Sequence, residues 1–341
     1  MAAGRGKAVT RNKATILIIV AVAATVLMAL LRLMIDRPPG GSLGLAWPEA
    51  RYAQFRVAAL LGSLSVGCAL AVSGVLLQAL LRNPLASPFV LGLSSGAGLG
   101  VALAMFISYH VGVALSTFGI VGPAVLGSLV TLLIVFMLGR RDGWLDPLSL
   151  ILAGIVISAI AGALTLFLQQ LAPPAIHAEM ARWMFGNIPQ NPPLSLLVTV
   201  IIVSIIGTVL AYTCGRALDG TMLGDDEARS IGVAIGRIRL LAFTIAGVLA
   251  AAAVALAGPI AFVGIIAPHA ARMFVGPLHR TLIIMAALIG MIILVGADIL
   301  SQAIYVQSAG RVPVGIFTAL LGGPAFIWLL RTRRVWGTTF K

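Results

Sequence analysis

Long apolar segments recur along the whole chain and are separated by short polar connections. A helix needs about 20 predominantly apolar residues to cross a bilayer, and the alternating segments of about ten residues that are typical of a membrane barrel are not seen. The pattern therefore predicts an all-α, polytopic membrane protein. Its ten expected spans are 14–35, 55–81, 89–108, 115–139, 148–171, 194–214, 239–257, 259–276, 281–304 and 313–331.

Composition supports this class. With 60% hydrophobic residues, 10% charged residues and a mean hydropathy of +1.09, the chain has too little polar surface for a soluble globular protein. The net charge of +13 does not indicate nucleic acid, because the basic residues lie in short connections between spans. Cys68 and Cys214 give no disulfide framework. No small-residue cleavage site follows the first apolar run, so we expect an uncleaved first span.

The basic residues also predict the orientation, because Lys and Arg are enriched in cytoplasmic connections. With a cytoplasmic N-terminus, 17 of the 23 basic residues lie inside and six lie outside. We therefore expect both termini in the cytoplasm. The expected parts are a basic cytoplasmic tail (1–13), one ten-span domain (14–334), and a C-terminal tail (335–341).

The longest polar stretch runs from Asp219 to Arg239, between the sixth and seventh expected spans. It holds Asp225, Asp226 and Glu227, which are three of the ten acidic residues. Gly224 and this acidic triplet are typical of a helix start, and Gly232 or Gly236 could end the helix. The segment is either a solvated loop helix or a docking surface for a soluble partner.

Small and polar residues form one stripe along the fifth span. Such a stripe is either a packing seam or the lining of a water-filled path. Its members are Gly154, Ser158, Gly162, Thr165 and Gln169.

The longest outer connection, 172–193, contains an expected short helix at about 175–185 that ends near Trp183 and Met184. His177 is alone there, without a second ligand at metal spacing, so no metal site is predicted. Asp298 is placed inside the ninth span, where a carboxylate is either functional or pairs with an arginine such as Arg56.

Short motifs occur in several separated blocks. They are Ser73-Gly74 with Leu77-Gln78; Arg82-Asn83-Pro84-Leu85-Ala86 with Pro88; Leu91-Gly92 with Ser94-Ser95-Gly96-Ala97; Trp183-Met184 with Gly186; Leu223-Gly224 with Ala228-Arg229 and Gly232; Ala257-Gly258-Pro259-Ile260 with Phe262-Val263-Gly264 and Pro268-His269; and Pro313-Val314-Gly315 with Thr318-Ala319. In order and spacing, from about Arg56 to Arg334, the chain resembles FecCD-type permease subunits of bacterial ABC importers for iron-siderophore, haem and cobalamin.

The resemblance implies that the domain 14–334 has a type II ABC importer permease fold and lies in the inner membrane of a bacterial cell. It also implies pairing with a second copy or a close paralogue. It implies two separate ATPase subunits inside and a substrate-binding protein outside, with ATP and Mg used by the ATPase and no cofactor or metal bound by this chain. The implied coupling segment is 215–238, in which the ATPase would contact Leu223, Gly224, Asp225, Asp226, Glu227, Ala228, Arg229, Ser230 and Gly232. The implied translocation path comprises Gly154, Ser158, Gly162, Thr165, Gln169, Trp183 and Met184.

The residues that would contact the external binding protein depart from the family pattern. The usual Arg-Leu-Pro-Arg is Arg56-Val57-Ala58-Ala59 here, and Gln302 stands where the family has a third arginine. Arg311 lies near the position of a missing acidic residue. Arg56 and Arg311 are therefore the predicted docking residues, with Arg51 in reserve.

We accordingly expect a non-enzymatic translocation subunit that carries a metal chelate inward by alternating access. No phosphate-binding G-x-x-x-x-G-K-[ST] loop is found in the sequence, so ATP hydrolysis would belong to a separate subunit. The alternatives are an ion-coupled secondary carrier, which would need buried charged groups near the midplane, and an intramembrane enzyme. An aspartyl protease would need a second membrane carboxylate besides Asp298.

Overall fold

A computed structural model of the chain describes residues 11–36, 43–113, 117–141, 144–306 and 310–331. Most of both predicted tails lies outside these residues. The described residues form twelve helices. They are α1 Arg11–Met34, α2 Ala50–Leu80, α3 Leu93–Val111, α4 Thr117–Leu138, α5 Pro147–Leu171, α6 Pro174–Met184, α7 Leu194–Thr221, α8 Asp225–Ser230, α9 Ile235–Ala257, α10 Val263–Val275, α11 His279–Ala303 and α12 Val314–Arg331.

Each of the ten expected spans coincides with a helix, and α6 and α8 are the two short helices between spans. Eight of the helices in the described ranges are long and apolar enough to cross a membrane, whereas α10 and α12 contribute shorter apolar stretches. Several predicted edges are wrong. For example, α7 continues to Thr221 instead of ending at 214, and α10 begins at Val263 instead of 259.

Three two-residue β-ladders, not expected from the sequence, close connections between helices. Each is antiparallel: β1 (Ile35–Asp36) pairs with β2 (Gly44–Leu45), β3 (Arg140–Arg141) with β4 (Trp144–Leu145), and β5 (Tyr305–Val306) with β6 (Gly310–Arg311). Their registers pair Ile35 with Leu45, Arg140 with Leu145, and Tyr305 with Arg311.

Helix α2 is the centre of the bundle and packs against α7, α9, α10 and α11. Two glycines allow neighbouring backbones to touch it. A Cβ atom at Gly67 would lie 2.4 Å from the carbonyl oxygen of Gly290, and one at Gly74 would lie 1.9 Å from that of Gly264. In lipid, such close packing replaces the hydrophobic effect as the force between helices.

The helical structure breaks between α9 and α10, and main-chain groups from two other segments cover this helix break. The N–H of Asn187 donates to the carbonyl oxygen of Ala257 at 2.7 Å. The N–H of Gly315 donates to the carbonyl oxygen of Gly186 at 3.1 Å, and a Cβ atom at Gly186 would lie 2.2 Å from the carbonyl oxygen of Pro259. This junction joins the α6–α7 connection, the α9–α10 break and the start of α12. It provides partners for backbone groups that lipid could not satisfy.

Asp298 pairs with Arg32 of α1, not with Arg56 as the sequence suggested. The Arg32 Nε donates to the Asp298 carboxylate at 2.5 Å, and the Ser63 hydroxyl donates to the same oxygen at 3.3 Å. Arg32 is completely buried and Asp298 is 3% exposed. The carboxylate therefore joins α1, α2 and α11, which is the structural one of its two predicted roles.

Candidate coupling surface and transport path

The polar stretch between α7 and α9 contains a one-and-a-half-turn helix, α8. Gly224 precedes it with a φ of 120° and makes no side-chain cap, so the acidic residues of the first turn complement the helix dipole without capping it directly. The helix ends at Ser230, and Gly232 follows in the left-handed region with a φ of 84°. The alternative prediction, that the helix ends at Gly236, is wrong because Gly236 lies in the first turn of α9.

The Asp225 carboxylate points toward other parts of the protein, and its side chain is 34% exposed. Both of its carboxylate oxygens accept from the Arg239 guanidinium at 3.0 Å, and one also accepts from Arg82. Arg82 in turn donates to the carbonyl oxygen of Thr221 at 2.9 Å. Asp225 thus anchors α8 to the α2–α3 turn and to α9. Sequence reasoning treated the three acidic residues as one group, since only long-range contacts distinguish Asp225.

The opposite side of the same segment is exposed and mixed in character. The Asp226 side chain is 96% exposed, and its ion pair with Arg229 is long at 3.7 Å. Leu223 and Ile231, on either side of α8, are 62% and 60% exposed, whereas Ala228 is fully buried. Two large apolar side chains beside exposed charges form a surface that another protein could cover.

The β3–β4 hairpin supports this segment from the side, which the sequence did not indicate. The Trp144 ring lies against Gly236, where a Cβ atom would meet it at 1.9 Å, and Arg239 donates to the carbonyl oxygen of Leu145 at 3.4 Å. A cleft of about 470 Å³ lies between the hairpin, α8 and the start of α9.

Asp146 ends this hairpin and caps α5. Its carboxylate accepts from the Ser149 hydroxyl at 2.6 Å and from the Ser149 backbone N–H at 2.8 Å. These hydrogen bonds favour the ionised form and lower the pKa of Asp146 below its ordinary value of 3.8. The start of α5 is therefore fixed next to the coupling segment.

The small and polar stripe on α5 faces other parts of the same chain. A Cβ atom at Gly154 would lie 2.1 Å from the carbonyl oxygen of Val90, while Thr165 and Gln169 are buried. Gln169 reaches the Met184 sulfur at 3.5 Å. Gly162 differs, because nothing lies within 4 Å of its missing Cβ. Within one chain, Gly154, Thr165 and Gln169 are packed against other segments, and their role in lining a transport path stays a prediction.

Helix α6 lies over α3, where the sequence placed a short outer helix. Met180 is buried in a cluster with Ala97, Val101 and Ala102, and Trp183 packs at its edge. Trp183 also borders a pocket of about 250 Å³ together with Glu179 and Arg182. His177 is exposed, and no three metal-ligating side chains lie together in the described parts of the chain.

The predicted docking arginines differ in their availability. Arg56 is only 7% exposed and donates to the backbone carbonyls of Leu33 and Ala46 at 2.8 and 3.2 Å, so it offers little to a partner. Arg311 lies at the partly exposed strand β6. Arg51 is exposed, contacts Glu49 at 2.8 Å and lies over the Tyr52 ring.

Comparison with known proteins accounts for this architecture, since a model of the FecCD transport family matches residues 42–332. The chain belongs to the FecCD transport family. It is 37% identical over 279 residues to the hemin transport system permease protein HmuU of Yersinia pestis, covering 82% of each chain. It is 35% identical over 271 residues to the cobalamin import system permease protein BtuC of Halobacterium salinarum, covering 80% of this chain and 70% of that one.

The fold agrees with this assignment. A metal-chelate type ABC transporter solved in an inward-facing conformation superimposes with a TM-score of 0.82 at 28% identity, covering 94% of this chain and 99% of the other. The resemblance inferred from the motifs is thereby confirmed. This FecCD family member is a membrane-embedded transport permease of the ABC importer type.

Proposed function

We propose that this chain is the translocation subunit of an ATP-driven importer that carries a metal chelate such as a ferric siderophore, haem or cobalamin into the cell. Its family membership supports the transport role, and the cargoes in the names of its relatives, cobalamin and hemin, support the cargo class. The bundle acts by alternating access, with both termini in the cytoplasm. Because the three cargoes differ widely in shape, selection among them is assigned to an external binding protein.

The partners are a second copy of the chain, two ATPase subunits and the external binding protein. The single observation that carries the ATPase contact is the exposed side of the coupling segment. Leu223 and Ile231 project from a polar surface, at the end of the bundle that basic residues mark as cytoplasmic. Partner binding can drive transport only if it favours one permease conformation over another. Asp225 provides such a link, because it connects α8 to the α2–α3 turn and to α9.

The test separates the exposed side of α8 from its anchored side. The double variant Asp226→Arg with Glu227→Arg, in the complete transporter, should reduce copurification of the ATPase at least tenfold, because it reverses charge on the exposed side. Asp225→Asn should leave copurification nearly intact but lower ATP-dependent chelate uptake, because it weakens the anchor to α2 and α9.

Glu179→Arg, a single charge reversal on exposed α6, is the control for a change of charge elsewhere on the surface and should leave ATPase copurification unchanged. Full assembly and uptake by the α8 double variant would contradict the proposed contact. Uptake that continues without any nucleotide-hydrolysing subunit would favour an ion-coupled carrier.

A further inference from the structure

A small, largely enclosed cavity of about 40 Å³ lies at the base of the coupling segment. It is formed where the ends of α2, α7, α10 and α11 converge. None of its eight lining residues is acidic, and several carry N–H donors. The lining residues are Gln78, Ala79, Arg82, Thr221, Met222, Arg272, Pro277 and His279.

Gln78 provides a donor without a partner. Its side-chain oxygen accepts from the Arg272 guanidinium at 2.5 Å, so the amide nitrogen is the group left over. That nitrogen is buried and has no hydrogen-bond partner, in a residue that is only 2% exposed. A buried amide N–H normally has a hydrogen-bond acceptor, because a buried donor without one loses its bonds to water and gains nothing in return.

The charges around the cavity do not balance. Asp225 is engaged by Arg82 and Arg239, and Asp219 accepts from both the backbone N–H and the ring of His279, at 2.9 and 2.7 Å. Arg272 forms no salt bridge with an acidic side chain in the described part of the chain. Asp225 is thus shared by Arg82 and Arg239, and Asp219 is bonded to His279, so neither carboxylate is bonded to Arg272. Arg272 is only partly exposed, and a guanidinium in such a place ordinarily has a negatively charged partner.

We propose that this cavity is a binding site for a small monovalent anion of chloride size. The anion accepts from the Gln78 amide nitrogen and neutralises Arg272. Size restricts the ligand, because a cavity of about 40 Å³ holds only one to a few water-sized groups. Gluconate and phosphate esters are too large. The bound anion joins α2 to α10 directly beneath the anchor of α8.

Water is the competing occupant, since it can also accept from the amide. Water leaves the charge on Arg272 unbalanced, whereas a halide satisfies both the amide and the guanidinium. The two occupants predict different results when the halide is exchanged at constant ionic strength.

The direct test is diffraction from crystals of the full chain grown in sodium bromide. The expected result is an anomalous peak in the cavity, beside Gln78 and Arg272. A refined water without an anomalous signal would overturn the proposal. This measurement needs no variant.

The second test is thermal unfolding of the purified protein in lipid nanodiscs, in sodium chloride or bromide against sodium gluconate. Halide should raise the Tm by about 2–4 °C in the native protein. Arg272→Gln should abolish the shift, whereas Arg229→Gln, which removes an equal charge from exposed α8, should retain it. Equal Tm values of the native protein in halide and gluconate would contradict an anion site.

Discussion

Helices α1 and α5 are more apolar than α2, yet they are far less buried. Only 11% of the α1 span and 28% of the α5 span are buried, against 89% of the α2 span. In water the most apolar helix would take the centre. In a bilayer the solvent is as apolar as leucine, so close backbone packing and polar contacts decide which helix lies inside. Gly67 and Gly74 therefore mark the centre better than any run of leucines does.

The largest effect is expected at the charged contact between α1 and α11. Arg32→Leu removes the partner of Asp298 and leaves its carboxylate buried, which costs about 3–5 kcal/mol. Unfolding in detergent should occur at a much lower temperature. Adding Asp298→Asn to this variant should recover part of the loss. A single variant as stable as the native protein would mean that α1 does not depend on the pair.

The second-largest loss of stability is expected at a closely packed position in α2, and an open position on α5 serves for comparison. Gly74→Val places a side chain against the backbone of Gly264, and overpacking of this kind costs about 1–3 kcal/mol. Gly162→Val is the matched control, since nothing lies within 4 Å of the added Cβ. Melting curves and membrane yield of the two variants test the difference. Equal losses would show that helix propensity, and not packing, sets the cost.

The smallest effect concerns the cap at the start of α5. Asp146→Ala should cost about 0.5–1 kcal/mol, because a partly exposed N-cap is lost. The folded pKa of Asp146 is lowered, so its contribution to stability is present above pH 3.8 and is lost as pH falls through the folded value. Asp146→Asn, which retains an acceptor but no charge, should lose only the pH-dependent part. Unfolding curves at pH 3 and pH 7 measure this.

The sequence predicted the helical class, the number of apolar helices and the position of α8, because those follow from hydropathy and from local helix signals. It did not predict that Asp225 is an anchor or that Asp298 binds Arg32, because the partners are 143 and 266 residues away. The α5 stripe left packing and lining open for the same reason. Small residues suit both roles, and only the identity of the facing helix distinguishes them.

The ladders of two residues were missed because so short a strand leaves no alternation to detect. Trp144 was missed as a support of the start of α9 because its contact is with a glycine, Gly236, which carries no signal of its own. The ATPase, path and binding-protein residues remain predictions.

The junction around the α9–α10 break has a consequence for mutational surveys. Its bonds at Asn187, Ala257, Gly186 and Gly315 run entirely between peptide groups, which survive when a side chain is exchanged. A library of single substitutions would therefore show loss of function at this junction only at its glycines. Its other positions would be classed as tolerant to substitution. Backbone amide-to-ester replacement at residue 187 or 315 would reveal how firmly the three segments move as one.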